Sequence, residues 1–586
     1  MLNNPPKKQL NIAVFVVILL VFLLKAFPGV FNENVYVYSP AEIHNFDSSL
    51  YPHNIDVLLN EGSISPRFVA IGFIKVLMSI GLSYEGAYLL IYILTSLITA
   101  CAVYLFLKRI KSVNNLYMAV LASVLLAFSS LSDFARFQTF TPESLFLGLG
   151  LAFATVGVVF ALFADSKKDI TLAYLFVILA GCAHIHEGIW GFAIVSLLLL
   201  FTKGLDLFKT PGVYLAAGGI LLLTVPVLMT TEQAGLPAQE FYDIYVRFRA
   251  PHHLYFGASA YMIPATLLSY ILIAFIVREK EDDKNNDSKL CIFLVGVFLL
   301  TLLVWFVGCE KMHISFFIKL YISKFIKYLN IVFTLILCKS VLNWKGNTKY
   351  LYLFLIASSV ALNSFVIPLY MLPALLVYYV LIKVDLSEKA KNIILAVLAG
   401  LFLSSGIMRF SVVIIGIILV GMLIIRFLDR KPIVLTSYLA FVLAILVANP
   451  LMSNRDLGLA NALLANQAGR DIYDFSLSLS EIVPKDEVVL ADSRSKHSGY
   501  IQQVSRRDIY ALFKAAPSNE NGIGEWYERL QEVKDVDQWD ANQFSSFMQR
   551  NNMNFVVINK GQYNESFDDM FEKEITSDEL ILLKRK

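Results

Sequence analysis

Long apolar runs, separated by short polar gaps, occupy the first 450 residues of the 586-residue chain. About 20 apolar residues suffice to cross a bilayer as a helix, and the first run covers residues 10–30. The pattern predicts a polytopic α-helical membrane protein with about 13–15 transmembrane helices. Residues 68–80 form a shorter apolar segment that we interpret as an interfacial helix.

Lysine and arginine divide the polar gaps into two alternating sets. The basic gaps are 108–111, 166–168, 203–209, 278–289, 345–349, 383–391 and 426–431. The intervening gaps are 32–67, 132–144, 184–187, 230–257, 309–313 and those around Pro368 and Arg409. By the positive-inside rule the first set is cytoplasmic and the second faces outward. The alternation predicts a cytoplasmic N-terminus, a first outward loop at 32–67 and a large outward loop at 230–257.

The composition of the chain changes after residue 450. Residues 451–586 are rich in charge and contain no apolar run of membrane length. Short apolar runs at 486–491, 509–513, 555–558 and 580–583 predict buried strands, and periodic segments at 463–482, 523–533 and 542–551 predict helices. We therefore expect a small α/β domain on the extracytoplasmic side.

Overall composition agrees with a membrane protein: 57% of the residues are hydrophobic and 16% are charged, against about 25% charged in soluble domains. The net charge of +3 gives no indication of nucleic-acid binding. The five cysteines lie in or beside apolar runs without metal-ligand spacing, so no disulfide framework is predicted.

The first outward loop contains the first set of candidate catalytic residues. Its carboxylates, Asp56 and Asp47 above all, could act as a catalytic base or bind a cation beside the membrane. Together with His44 and His53 they could also form an oxygen and nitrogen site for a divalent metal ion. The alternative is a solvated acidic loop.

A second strip of ionisable residues, His184, His186 and Glu187, lies between two apolar runs with almost no loop. Ionisable groups at that depth indicate a functional site by default. The alternative is a tight helix turn in which Gly188 ends a helix.

A third strip closes the large outward loop with Arg247, Arg249, His252 and His253. Arginine presents a planar fork of donors suited to phosphate, and imidazoles add further donors. This predicts binding of a lipid phosphate or pyrophosphate; the alternative is anchoring at the lipid headgroups or a salt bridge from an arginine to Glu240 or Asp243.

Lys319, Lys324 and Lys327 follow at roughly helical spacing. We interpret this segment as an amphipathic helix that lies along the membrane surface before the next span.

The architecture resembles the GT-C class of integral membrane glycosyltransferases, and more narrowly its bacterial multi-spanning members. The residues that carry the resemblance are 49–56 (SLYPHNID), 186–188, 249–253, Arg507, Lys514 with Pro517, and 525–529. The resemblance implies a multi-pass protein of the inner (plasma) membrane that uses a sugar on a polyprenyl phosphate, with a membrane lipid as partner. It also implies a catalytic carboxylate in the first outward loop, a role that falls on Asp56 or Asp47.

Three other functions are alternatives to this interpretation. A polymerase or ligase of lipid-linked polysaccharide would use the outward arginines and histidines without the acidic loop. A transporter or flippase would place its ionisable residues at mid-membrane and show related halves. A sensor or assembly scaffold would use the C-terminal domain as its binding module; the sequence specifies no protein partner.

Overall fold

A computed structural model gives the fold. It describes residues 7–26, 31, 33–59, 64–111, 146–231, 235–260, 262–279, 286–342, 440–444, 456–517 and 519–586, with isolated positions among 123–126, 375–393 and 448–454. The described part of the chain is helical up to Leu342, and a small sheet lies near the C-terminus. This confirms the predicted fold class, a polytopic helical protein with a C-terminal α/β region.

The helices before residue 343 range from one turn to seven turns. They are α1 Lys7–Ala26, α2 Glu33–Phe46, α3 Ile55–Leu59, α4 Phe68–Ser79, α5 Tyr84–Arg109, α6 Phe146–Leu162, α7 Lys167–Ala183, α8 Ile185–Lys203, α9 Pro211–Thr231, α10 Ala238–Phe241, α11 Pro251–Leu254, α12 Phe256–Ser259, α13 Met262–Arg278, α14 Asp287–Trp305, α15 Ser315–Lys319 and α16 Lys324–Leu342. A 3₁₀ segment covers Gly204–Lys209, and π-helical turns cover Tyr242–Arg249 and Phe306–Lys311.

Five helical segments among the described residues are long and apolar enough to cross a membrane: Tyr84–Arg109, Ile185–Lys209, Pro211–Thr230, Asp287–Lys311 and Lys324–Leu342. Four shorter helices are equally apolar, including the predicted interfacial helix, now α4 at Phe68–Ser79. The spans predicted between residues 343 and 450 lie largely outside the described residues, so the total of about 13–15 stays a prediction.

The turn between α7 and α8 consists of one residue, His184, which caps both helices. Gly188 does not end a helix, as one interpretation of the sequence had it, because α8 continues to Lys203. Its role is close packing: a Cβ atom on Gly188 would lie 2.4 Å from the Cα of Gly181 in α7. Glycine therefore lets the two helices approach each other directly after a minimal turn.

Helix α16 corrects the prediction of a surface-lying lead-in. Lys324 and Lys327 belong to the first turn of this apolar helix and are only 7% and 3% exposed. Lysine side chains are rarely buried without a partner. Their burial therefore requires polar or charged partners nearby, which are described with the candidate site below.

The C-terminal region has alternating helices and strands around a five-stranded sheet. Its elements are α17 Leu459–Ala468, α18 Arg470–Ile482, β1 Val488–Leu490, α19 Ser498–Ser505, β2 Asp508–Ile509, α20 Glu520–Glu532, α21 Ala541–Arg550, β3 Phe555–Asn559, β4 Phe571–Thr576 and β5 Leu580–Arg585, with 3₁₀ turns at Val536–Gln538, Lys560–Gln562 and Glu565–Phe567. The strand order is β2-β1-β3-β5-β4; β1 is parallel to β2 and β3, and the remaining pairs are antiparallel.

All four predicted strands are present, although β2 is shorter than expected. The helix predicted over 463–482 is two helices, because Gly469 adopts φ +95° between them. The sequence interpretation missed α19 and β4. The β4 segment, FEKEIT, has three consecutive charged residues between Phe571 and Ile575 and lies at the edge of the sheet.

The chain divides into two compact units. The first contains Met1–Phe27, Ile93–Leu221 and Ala250–Ile445; the second contains Pro28–Tyr92, Leu222–Arg249 and Leu446–Lys586. The second unit therefore unites the first outward loop with the C-terminal sheet. Within it, α2 packs against α4 and α19, and Tyr36 meets Tyr500 edge to face at 5.4 Å.

Candidate functional site

In the second unit, helix α2 carries a buried carboxylate. Val35, Ser39, Glu42 and Ile43 follow one another at helical spacing and are all almost completely buried. This i, i+4, i+7, i+8 pattern is that of the core-facing side of a helix. Glu42 therefore points into the protein, although the sequence interpretation chose other acidic residues of the loop.

Three donors hold the Glu42 carboxylate. The Tyr84 and Tyr88 hydroxyls donate to Oε2 at 2.8 and 2.5 Å, and Arg67 Nη1 lies 3.4 Å from Oε1. Burial raises the pKa of the Glu42 carboxyl, while Arg67 and the two tyrosines act in the opposite direction. With its lone pairs engaged, Glu42 is better suited to position Arg67 than to accept a proton from a substrate.

Asp56 lies in the first turn of α3 and is 8% exposed. Its backbone N–H donates to Asn54 Oδ1 at 3.0 Å, which fixes the start of the helix. The charge of Asp56 acts on Arg67, as does that of Glu42. The Arg67 guanidinium therefore interacts electrostatically with two carboxylates of the first outward loop, Glu42 and Asp56.

Asp47 has a different environment. It accepts hydrogen bonds from the backbone N–H and hydroxyl of Ser49, at 3.0 and 2.7 Å, and these donors lower the pKa of its carboxyl. This is the geometry of a turn closed by an aspartate side chain. His44 Nδ1 donates to the Leu50 carbonyl at 2.8 Å, and His53 is exposed.

No three His, Cys, Asp or Glu side chains converge as metal ligands anywhere in the described part of the chain. A divalent ion held by Asp47, Asp56, His44 and His53 accordingly gains no support from this geometry. It stays a prediction of the sequence.

The loop that carries Asp56 is fastened to the C-terminal region within the second unit. Tyr51 is fully buried and its hydroxyl donates to the Gln502 carbonyl at 2.7 Å; Asn54 Nδ2 donates to Gln502 Oε1 at 3.2 Å. The His53 N–H donates to Asp508 Oδ2 at 2.8 Å. These bonds fix the conformation of the chain directly ahead of Asp56.

Asp508 itself is fully buried, and burial raises the pKa of its carboxyl to about 7, against the His53 and Asn54 donors. A second fastening lies nearby in the chain, where Arg506 Nη2 and Gln503 Nε2 donate to Glu85 Oε1 at 2.7 and 3.1 Å. An acidic side chain thus takes part in each set of bonds: Asp508 of β2 binds the first outward loop, and Glu85 of α5 binds residues at the end of α19.

The two arginines of the third strip have separate partners. Arg247 lies 3.4 Å from Asp243, the salt bridge that the alternative interpretation expected, and both side chains are about half exposed. Arg249 Nη2 donates to the Lys514 carbonyl at 2.8 Å and stacks near Phe513. The Nε of Arg249 is buried and has no acceptor among the described residues. Arg249 can therefore donate a further hydrogen bond to a ligand, whereas Arg247 pairs with Asp243.

The first unit contains a buried ion pair at the start of α8. Lys327 Nζ lies 2.9 and 3.0 Å from the two carboxylate oxygens of Glu187, and the Tyr328 hydroxyl donates to Oε2 at 2.5 Å. Glu187 is 0% exposed. The predicted strip residue Glu187 is therefore neutralised by a lysine 140 residues later in the chain.

Two pairs of histidines, one from the second strip and one from the third, meet at Tyr321 in the same unit, with one ring of each pair close to the tyrosine. Ring centroids of His186 and His253 lie 6.0 and 6.5 Å from that of Tyr321, His184 lies 5.2 Å from His186, and His252 lies 4.0 Å from His253. We call this group, with Lys324 and Lys327, the histidine–lysine cluster.

The turn that carries Tyr321 is held in an uncommon conformation. Tyr321 has φ +51°, and non-glycine residues with positive φ are rare. Trp190 Nε1 donates to the Leu320 carbonyl at 3.1 Å, and the Ser323 hydroxyl donates to the His253 carbonyl at 2.7 Å. The surrounding contacts therefore fix the ring between the histidines.

The lysines of the cluster lie close to its aromatic and imidazole rings. Lys324 Nζ lies 4.8 Å from the Tyr321 ring, and both Lys324 and Lys327 act electrostatically on His186. His186 Nδ1 is buried without a hydrogen-bond partner among the described residues. Both lysine side chains therefore lie close to imidazole rings.

The structure thus assembles two groups from the predicted residues. His184, His186, Glu187, His252 and His253 come together in the first unit, whereas Asp47, Asp56, Arg247 and Arg249 belong to the second. That these groups line one cavity stays a prediction.

Sequence reasoning missed Glu42, Arg67, Tyr321, Lys324 and Lys327 as members of these sites. The helical spacing of Glu42 with Val35 was the available signal. The contact partners of the lysines were not visible in the sequence.

No protein-family model matches the sequence, and no curated protein matches it. Among solved structures, the crystal structure of ArnT from Cupriavidus metallidurans in the apo state aligns with a TM-score of 0.48 and 11% identity, covering 98% of this chain and 97% of that one. The same protein bound to undecaprenyl phosphate aligns with a TM-score of 0.46 and 12% identity, with the same coverage.

Proposed function

We propose that the protein transfers a sugar from a polyprenyl-phosphate donor to an acceptor hydroxyl on the extracytoplasmic side of the membrane. The observation that carries the proposal is the histidine–lysine cluster, in which the buried side chains of Lys324 and Lys327 lie among imidazoles at the ends of apolar helices. Such a group suits a phosphate that is attached to a membrane lipid.

The phosphate has defined partners in this scheme. Lys324 supplies a cationic donor, and His186 supplies a buried Nδ1 that has no hydrogen-bond partner in the described part of the chain. Charge-assisted hydrogen bonds to phosphate are about twice as strong as neutral ones. The ion pair of Lys327 with Glu187 holds the neighbouring wall in place.

Asp56 is the proposed catalytic base. It takes the proton of the acceptor hydroxyl as the acceptor oxygen bonds to the anomeric carbon, and the bond from that carbon to the phosphate oxygen breaks. The lipid phosphate leaves as an anion, which cationic donors stabilise. Arg67, positioned by Glu42, sets the charge around Asp56, and Arg249 offers a further donor for an anionic group.

A lipid-binding measurement tests the phosphate site. Full-length protein in nanodiscs should bind a short-chain polyprenyl phosphate, and Lys324→Ala should weaken binding about 10- to 100-fold, since a hydrogen bond to a charged group is worth about 1.5–3 kcal/mol. Lys339→Ala is the matched control, because Lys339 lies on the same helix and pairs with Asp287 at 2.7 Å. Equal loss in both variants would contradict the assignment.

A transfer assay tests the carboxylate. Asp56→Asn should abolish formation of the glycosidic bond while phosphate binding persists, and Asp47→Asn should stay within about twofold of the parent, because asparagine can close the same turn. If both variants transfer sugar normally, the carboxylate mechanism is wrong. Movement of labelled lipid-linked sugar across the bilayer without bond formation would favour a flippase instead.

A further inference from the structure

Two arginines from distant parts of the second unit share one aromatic ring. The Cζ atoms of Arg249 and Arg494 lie 5.6 and 5.4 Å from the ring centroid of Phe513. Arg494 also lies 5.7 Å from the ring centroid of Phe248, the neighbour of Arg249 in the chain. We call these four residues the arginine–phenylalanine patch.

The rings of the patch rest on further aromatic side chains. Phe248 meets Phe513, Trp526 and Tyr527 edge to face, at centroid distances of 5.4, 6.2 and 5.0 Å. Trp526 is fully buried, and its Nε1 donates to the Leu512 carbonyl at 2.9 Å. The base of the patch is therefore fixed, and both phenylalanines are only half-buried.

Local hydrogen bonds hold both arginines. Arg249 Nη2 donates to the Lys514 carbonyl at 2.8 Å. The backbone N–H of Arg494 donates to Asp492 Oδ1 at 2.9 Å, and the side chain of Arg494 is exposed. Neither guanidinium forms a salt bridge within the described part of the chain. Both positive charges therefore remain available to a ligand.

Two acidic residues on the segments that form the patch and its base are paired elsewhere. Asp243, on the π-helical turn that carries Phe248, lies 3.4 Å from Arg247. Glu525, next to Trp526, lies 2.7 Å from Arg529. These carboxylates therefore do not take the place of an external anion.

Arg550 shows what distinguishes the patch from ordinary packing. It is exposed, and its Cζ lies 5.9 Å from the ring centroid of Phe547. One guanidinium beside one ring is a common arrangement in proteins. At Phe513 two guanidinium groups meet, and bringing like charges together costs free energy that a bound anion recovers.

The chemistry of the patch favours a sugar that carries an anionic group. Guanidinium forks bind carboxylate and phosphate through paired hydrogen bonds. Aromatic walls with a few charged groups are typical of small-molecule sites, in which the charges fix the orientation of the ligand. No large apolar side chain is exposed among residues 235–249 or, in the described part of the chain, after Ile482, so the region has no apolar face to insert into a bilayer.

We propose that the arginine–phenylalanine patch binds an anionic sugar residue, whose carboxylate or phosphate group lies between Arg249 and Arg494 and whose ring packs against Phe513. The sugar is either free or part of a glycan. The proposal does not rest on the transfer reaction, because binding is expected whether or not a glycosidic bond forms.

Isothermal titration calorimetry of the full-length protein, in nanodiscs of zwitterionic lipid and without a lipid-linked donor, tests the ligand. Short oligogalacturonides should bind about 10-fold or more tightly than the same oligosaccharides with methyl-esterified carboxyl groups, which cannot pair with arginine. Tighter binding of the oligogalacturonide than of galacturonic acid assigns the site to a glycan, and equal binding assigns it to a free sugar. Comparing galacturonic acid with galactose 1-phosphate shows which anionic group is preferred.

Variants test the position of the site. Arg494→Gln should weaken oligogalacturonide binding about 10-fold or more, whereas Arg550→Gln, the matched control, should leave it unchanged. Arg494→Lys keeps the charge and provides a second variant if the Tm shows that Arg494→Gln does not fold. It should still weaken binding about 3-fold or more, because lysine lacks the planar fork.

Three results would overturn the proposal. These are equal binding of the charged and esterified oligosaccharides, parent-like binding by the folded Arg494 variants, and an equal loss in Arg550→Gln. A soluble short-chain phosphatidylglycerol that binds more tightly than every sugar, and loses affinity in Arg494→Gln, would make the patch a headgroup site and the sugar proposal wrong. Since no donor is present, failure of sugar binding leaves the transfer reaction standing, and an inactive protein that still binds sugar refutes only the transfer reaction.

Discussion

Replacing Asp508 by asparagine should change how the stability of the second unit depends on pH. Asp508 is fully buried, its Oδ2 accepts from the His53 N–H, and its Oδ1 has no partner among the described residues. Asparagine keeps an acceptor for His53 but cannot ionise. The substitution therefore removes the titration of the carboxyl group while it keeps the shape of the side chain.

The magnitude follows from the pKa. Burial raises the pKa of Asp508 from 3.8 to about 7, and each unit corresponds to about 1.4 kcal/mol. Between these values the folded protein binds a proton that the unfolded chain has released, so the free energy of unfolding falls as pH rises and levels off above about 7. The expected loss across this window is about 4 kcal/mol, which the asparagine variant should not show.

Thermal unfolding of the full-length protein in nanodiscs, followed by tryptophan emission, to which buried Trp526 of the second unit contributes, measures the effect from pH 4.5 to 8.5. A change of 1 kcal/mol shifts Tm by about 2–4 °C in a unit of 150–250 residues. The difference in Tm between Asp508→Asn and the parent should therefore move by about 10 °C in favour of the variant over this range. Other titrating groups, such as Glu42 and His497, are present in both proteins and cancel in the difference.

The test is how the difference in Tm between variant and parent changes with pH. The size of the difference at one pH is not decisive, because the amide group of asparagine can shift Tm by an amount that does not depend on pH. Parallel pH profiles for the two proteins would falsify the assignment of a near-neutral pKa to Asp508. A profile in which the variant loses stability with rising pH would contradict its sign.

Three further results are expected. Gly188→Ala should destabilise the protein by about 1–3 kcal/mol, seen as a lower Tm, because its methyl group would collide with Gly181; a Tm equal to that of the parent would contradict this packing. Lys327→Met should cost about 3–5 kcal/mol by leaving Glu187 unpaired, and adding Glu187→Gln should recover part of the loss; additive losses would speak against the pair. Tyr51→Phe should lower the Tm of the second unit by removing a buried hydrogen bond worth about 1 kcal/mol, and an unchanged Tm would show that the hydroxyl is not needed.

The sequence predicted the secondary structure correctly where the signal is local to one segment. Apolar runs located the long helices, and FVVI at 555–558 located β3, since both signals are local. Strand β4 was missed because charged residues interrupt its apolar positions at a solvent-exposed edge.

The sites were harder to predict because their contacts join distant parts of the chain. Glu187 and Lys327 are 140 residues apart, and the pairing makes a buried lysine acceptable in an apolar helix. Since the sequence does not show this partner, the spacing of the lysines predicted a helix lying on the membrane surface. Glu42 was passed over for Asp56 and Asp47 because burial of a short helix in a polar loop depends on what packs against it.

The bond from Tyr51 to Gln502 spans 451 residues, and this distance constrains the order of biosynthesis. The ribosome releases the segment around Tyr51 early and the segment around Gln502 near the end, which at 5–20 residues per second amounts to an interval of about 20–90 s. Throughout that interval the nascent first outward loop lacks the partner that fixes Asp56. The first outward loop therefore reaches its final conformation only after the membrane helices have been inserted and the C-terminal region has been synthesised.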